Sequence, residues 1–204
     1  MTAHRGAGLA ALAATAGLLL AGCGAGQDVP VPHHTDSAEA VEPVPASEAV
    51  SPVPPAAPDR LSIPAVDIDV AVEPMSADRC PVLNPPSNDS AYWVGCRALP
   101  GTDSDGTVFV IGHAVTGGSA VFNDLAEVSP GDTATLRTSN GRLTYRIVDT
   151  ELYGKYGQAQ LEPKLRERIP GRLVLVTCYL GSDGRQLTDQ NFVAYADLES
   201  AAGD

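Results

Sequence analysis

The chain has 204 residues, 44% hydrophobic and 19% charged, with 13 Lys+Arg against 25 Asp+Glu and a formal net charge of −12. That composition excludes a polytopic membrane protein, and the acidic balance speaks against duplex nucleic acid as the main partner. All ten aromatic residues lie beyond residue 58, so the core is built from 59–204, about one domain's worth of chain.

Residues 1–23 read as a secretory signal. Arg5 is the only Lys, Arg, Asp or Glu before Asp28, and 6–22 is a run of Ala, Leu, Gly and one Thr. A basic start, a short apolar run and small residues before a cut site are the physics of such a segment. Leu20-Ala21-Gly22-Cys23 also resembles a bacterial lipobox, in which Cys23 receives a lipid after cleavage. The other reading is an uncleaved membrane anchor, since the run sits at the lower limit for spanning a bilayer, roughly 17–25 residues. Either way the remainder is expected outside the cytoplasmic membrane.

Residues 24–58 read as a disordered linker. They hold eight prolines and five acids (Asp28, Asp36, Glu39, Glu42, Glu48), with no Lys, Arg or aromatic residue. Such chain buries too little surface to offset ordering, and its prolines keep it extended. His33-His34 has no packed partner shell there and reads as solvated. The linker supplies reach for a head at 59–204.

Within the head, Leu61-Ser62-Ile63 and 66–70 alternate apolar with polar around Pro64, which predicts strands. Residues 107–111 are nearly all apolar, which predicts a strand covered on both faces. A short helix is expected at 120–125, and Ser129-Pro130-Gly131-Asp132 is a turn. Residues 134–138 and 143–148 flank Asn140-Gly141, a hairpin signal because the tight turn calls for positive φ. A second short helix is expected at 161–168. Strands at 173–177 and 192–196 bring the count to at least seven. Many short strands at this spacing predict an all-β sandwich or closed barrel.

The four cysteines are Cys23, Cys80, Cys96 and Cys178. With Cys23 lipidated in an oxidising compartment, one of the other three is left unpaired. Cys80 and Cys96 flank a turn-rich stretch and are the expected disulfide, worth about 3 kcal/mol in the chain-entropy model. Spacing alone also allows Cys96 with Cys178. Cys178 follows the apolar run 173–177, and the head's only histidine, His113, follows the 107–111 strand after Gly112. A thiolate nucleophile needs a base or cation to activate it, and imidazole is the usual one. Two strand ends would present both groups to substrate. No Cys/His metal spacing or phosphate-cradling glycine loop is present, so neither metal nor cofactor is expected.

Gly112-His113-Ala114 after an apolar strand, then Leu175-Val176-Thr177-Cys178, then the strand at 192–196, resembles the sortase family. The layout is closest to the short actinobacterial class E/F sortases, and the resemblance runs from about residue 61 to 198. It includes Leu61-Ser62-Ile63-Pro64-Ala65-Val66, Phe122-Asn123-Asp124-Leu125 and Pro130-Gly131-Asp132. It implies a closed eight-stranded β-barrel with short helices and a cysteine transpeptidase of the bacterial surface. Cys178 would then be the nucleophile and His113 the general acid/base. The implied partners are surface proteins with an LPxTG- or LAxTG-type sorting signal, an amine acceptor on cell wall or pilin, and the membrane through the N-terminal anchor.

Two departures stand out. The family carries an arginine beside the cysteine on or just before the last strand, and those positions here hold Asn191 or Asp189. Arg185, the only arginine after Cys178, is the candidate replacement, with Thr177 and Asn191 as oxyanion donors. Val174 stands where the family often has Thr. The missing arginine keeps a catalytically impaired, peptide-binding pseudo-sortase as the alternative. L,D-transpeptidases carry cysteine in a Ser-x-Gly-Cys setting, and NlpC/P60 hydrolases place cysteine before histidine; this chain does neither.

Overall fold

Eight strands close into one barrel in the order β1-β2-β3-β4-β7-β8-β6-β5. They are β1 Pro58–Ile63, β2 Ile68–Met75, β3 Ala91–Val94, β4 Val108–Ile111, β5 Thr133–Thr138, β6 Gly141–Gly154, β7 Arg172–Leu180 and β8 Gln186–Gly203. One short helix, α1 Pro163–Arg166, precedes β7. The computed structural model describes residues 51–75, 84–155, 163–181 and 186–204. The signal segment with Cys23, the linker up to residue 50 with His33-His34, Cys80 and Arg185 lie outside the described residues. Among those described, no helix is long and apolar enough to cross a membrane.

The pairing is mixed. β2 runs parallel to β3 and β4 parallel to β7, while the other neighbours are antiparallel. The longest ladder joins β6 to β8, from Gly141 opposite Gly203 to Gly154 opposite Gln190. Period-two alternation sends Leu61, Ile63, Leu136, Leu143, Leu173 and Leu175 into the barrel, all fully buried. Each such side chain contributes about 2 kcal/mol of hydrophobic stabilisation.

A second apolar layer lies on the outer wall, where Tyr92, Val94, Phe109, Ile111, Val174, Val193 and Tyr195 pack together beneath Leu165 of α1. β4 is buried at every position because it faces the inner core through Val108 and Val110 and the outer layer through Phe109 and Ile111. This is why its sequence is a continuous apolar run rather than an alternating one.

Three local expectations change. Residues 51–58, placed in the linker by composition, pack against the barrel: Val53 is fully buried, its amide donates to Thr102 Oγ1 at 3.1 Å, and Ser51 N–H donates to Ala201 O. Proline richness does not prevent burial where neighbouring amides still find acceptors. The hairpin between β5 and β6 turns through Ser139 and Asn140, with Gly141 opening β6. Gly141 has φ +136°, and a Cβ there would sit 2.2 Å from Ala202 O, so glycine serves the approach of β8 as well as the turn. The helix expected at 120–125 is a turn followed by a 3-10 segment at Leu125–Glu127, too short to bury a helical face.

Candidate active site

Cys178 lies on β7, two residues beyond Val176 and four beyond Val174, so alternation continues the outer apolar row onto its sulfur. It is half-buried and is the free cysteine among the described residues. The Cys96–Cys178 pairing that spacing allowed is thereby excluded. Cys96 does not carry a free thiol.

His113 follows the end of β4 by two residues. Ile111 is level with Val176 across the parallel pair, and Gly112 N–H extends the ladder to Val176 O at 3.2 Å. His113 and Cys178 each lie two residues beyond the Ile111–Val176 pair, at the same end of the two parallel segments. Gly112 is required by packing, because a Cβ there would lie 2.7 Å from Phe122 Cδ2. Phe122 N–H donates to His113 O at 3.0 Å, and Asn123 Oδ1 accepts from Val115 N–H at 2.9 Å. The Phe-Asn pair thus pins the loop that carries the histidine.

The imidazole Nε2 is 2.9 Å from Pro85 O. A carbonyl oxygen only accepts, so Nε2 carries the proton and Nδ1 is the nitrogen left for proton exchange. Residues 84–90, the described part of the β2–β3 connection, therefore help to fix the ring.

The remaining sequence candidates separate. Asn191 on β8 is the residue opposite Cys178 and is half-buried. Asp189 is exposed at the start of the same strand. Thr177 is buried, and its hydroxyl donates to Gly112 O at 3.0 Å. Alternation turns it inward, so the hydroxyl expected as an oxyanion donor instead joins β7 to the end of β4.

One residue at the sulfur was not expected. Lys155, directly after β6, donates from Nζ to Cys178 Sγ at 3.3 Å, while its amide donates to Asp189 O at 2.7 Å. β6 lies beyond β8 from β7, and Tyr153, Asn191 and Cys178 are opposite one another across the three strands. Only the strand order brings Lys155 to the thiol; nothing local in the sequence links them.

A polar network holds the β6–β7 connection against the same wall. Lys164 of α1 donates to Asp149 Oδ2 and Glu151 Oε1, each at 2.5 Å, and its ammonium lies 4.2 Å from the centre of the Tyr195 ring. Tyr153 donates to Glu151, so Tyr195 donates to Tyr153 Oη at 2.8 Å. Burial, reinforced by the neighbouring phenol and carboxylates, pushes the Tyr195 hydroxyl far above the ordinary phenol range. Burial and the bond to Glu151 raise Tyr153 as well. Both phenols stay protonated, as donors in this network must.

A half-buried free thiol that accepts from an ammonium, with an imidazole at the same end of the neighbouring segment, is suited to nucleophilic acyl transfer. The Sortase domain model matches residues 61–199, more than half of the chain. The chain belongs to the sortase family. This sortase is thus one of the cysteine transpeptidases, a family whose members work outside the cytoplasm, anchored to the membrane, on sorting-signal substrates. Its barrel is similar to sortase A of Listeria monocytogenes, with TM-score 0.53 and 20% identity over 73% of this chain and 91% of that one. Sortase C-1 of Actinomyces oris gives TM-score 0.53 and 16% identity over 68% and 71%. Sortase A of Corynebacterium diphtheriae gives 0.52 and 16% over 72% and 61%. At these identities the likeness is one of fold. No curated protein sequence matches the chain.

Proposed function

We propose that this sortase is an extracytoplasmic, class E/F-like transpeptidase that cleaves a Thr–Gly bond in an LPxTG- or LAxTG-type sorting signal through Cys178. The thiolate attacks the threonine carbonyl carbon, an S–C bond forms, and the C–N bond to glycine breaks. His113, as imidazolium, gives its proton to the departing amine, leaving an acyl-thioester on Cys178. An amine of cell-wall peptide or of a pilin lysine, or water, then releases the acyl group and regenerates the thiol. The observation that carries this reading is the free thiol of Cys178, two residues beyond the last β4–β7 pair, with His113 the same distance beyond it on the neighbouring segment.

Asn191, opposite Cys178, offers a neutral donor to the oxyanion, and Arg185 is the arginine the sequence provides for the same charge. Losing one oxyanion donor typically costs about 2.7–4 kcal/mol in the barrier. Cys80 pairs with Cys96 and steadies the β2–β3 connection that also supplies Pro85. The N-terminal run, lipidated at Cys23 or retained as an anchor, tethers the head to the outer face of the membrane.

The test is to incubate the full chain with Leu-Pro-x-Thr-Gly and Leu-Ala-x-Thr-Gly peptides, with and without an amine, and to separate the products. Cleavage after threonine, an amine-dependent second product and loss of both in Cys178→Ala are expected. Peptide binding without cleavage by the wild type would favour the pseudo-sortase, which the residues at 189 and 191 keep as the competing reading.

A further inference from the structure

The family arginine is replaced here by an acid or an amide, yet the thiol still has a cationic neighbour. Lys155 Nζ stands 3.3 Å from Cys178 Sγ. Its backbone is fixed by the bond to Asp189 O, and it is half-buried beside the row formed by Tyr153, Asn191 and Cys178. Lys164, on the same connection, is neutralised by Asp149 and Glu151. Lys155 pairs with no carboxylate among the described residues, so its charge remains available to the sulfur.

We infer that Lys155 is a catalytic residue, supplying from the end of β6 the positive charge that other sortases supply by arginine from the last strand. The inference rests on Cys178 being the nucleophile. In the resting site the ammonium donates to the sulfur, so a positive charge already faces the attacking atom. As the S–C bond forms, negative charge passes from sulfur to the former carbonyl oxygen. An ammonium with three donors on a four-carbon stem can follow that shift over a short distance. When the intermediate collapses, the departing amine takes its proton from His113, and Lys155 keeps its own throughout. A lysine provides a point charge without the two-pronged geometry of a guanidinium, so Asn191 is left to orient the oxyanion.

The experiment uses the full chain as wild type, Lys155→Met, Lys155→Arg and Arg185→Ala, each checked for an unchanged thermal melt. Iodoacetamide labelling of Cys178 is followed by peptide mass mapping across about pH 5 to 9, and thioester formation with a sorting peptide is measured in parallel. Lys155→Met should slow labelling at neutral pH by roughly 10- to 100-fold, and Lys155→Arg should restore most of the rate. Labelling of Lys155→Met at the wild-type rate at every pH, or slowing confined to Arg185→Ala, would overturn the assignment. The two proposals fail separately. If the wild type forms no thioester but labelling still depends on Lys155, the sorting-signal reading falls and the charge assignment stands. If the thioester forms equally in Lys155→Met, this assignment falls alone.

Discussion

Phe122 holds His113 from two sides. Its amide donates to the histidine's carbonyl, and its ring fills the space where a side chain on Gly112 would begin. The last turn before the histidine is therefore set by contact with a fully buried aromatic ring, and that contact has measurable consequences.

Gly112→Ala would drive a methyl to within 2.7 Å of Phe122 Cδ2. Overpacking of this kind costs about 1–3 kcal/mol, and the shift needed to relieve it displaces the backbone that carries His113. Calorimetry should show the lowered melting temperature. Sorting-peptide cleavage at a temperature where the variant is still folded should fall further than the loss of folded protein explains. Full activity in the folded fraction would show that the placement of His113 is not what matters.

On the proposed mechanism, His113→Ala removes the proton donor for the leaving amine without touching a barrel contact. General acid–base catalysis of this type is worth about 10²–10⁴-fold. Peptide cleavage should drop by that order while the melting temperature stays within a degree or two. A large loss of stability with proportionate loss of activity would assign the ring to the Pro85 contact alone.

Lys164→Met tests the network beneath α1. The hydrogen bond from Lys164 holds the Asp149 carboxyl below its usual 3.8. Burial of the ammonium opposes the shift on Lys164, but its bonds to Asp149 and Glu151 outweigh burial and raise it above 10.5. A depressed acid stabilises above its unfolded value and loses that stability as pH falls through the folded one. A raised base stabilises below its unfolded value and loses it as pH rises through the folded one. The wild-type advantage is thus greatest between about pH 4 and pH 10 and shrinks on both sides. Both groups are substantially solvent-exposed, so urea unfolding at neutral pH should show about 1 kcal/mol or less. A difference that grows in acid would contradict the ion-pair origin.

For the disulfide, alkylation of the folded head without reductant should modify Cys178 and leave Cys80 and Cys96 unmodified. Cys80→Ser combined with Cys96→Ser should cost about 3 kcal/mol in urea. Modification of Cys80 under those conditions would remove the proposed pairing.

The barrel was legible because seven of its strands announce themselves by alternation or by continuous apolar runs. β3 did not: Ala91–Val94 is four residues long, buried in both layers, and shows no alternation to read. The far halves of β6 and β8 were missed because residues such as Glu151 and Glu199 are polar and break the apolar pattern, their carboxylates being held by Lys164 and Arg146 from other segments. Cys178 and His113 stood out as the head's unpaired thiol and only imidazole, each following an apolar run. Lys155 carried no such signal, since its approach to Cys178 depends on β8 lying between β6 and β7. Thr177 was misjudged for a related reason: adjacency to the cysteine in sequence places it on the opposite face of the strand.

The most direct measurement is the intact mass of the protein quenched in acid during turnover with a sorting peptide, followed by fragmentation to locate the adduct. An acyl group through threonine, bound at Cys178, removable by hydroxylamine and absent from Cys178→Ala, is the predicted result. Cleaved peptide with no adduct at Cys178 at any quench time, or an adduct on another residue, would contradict it.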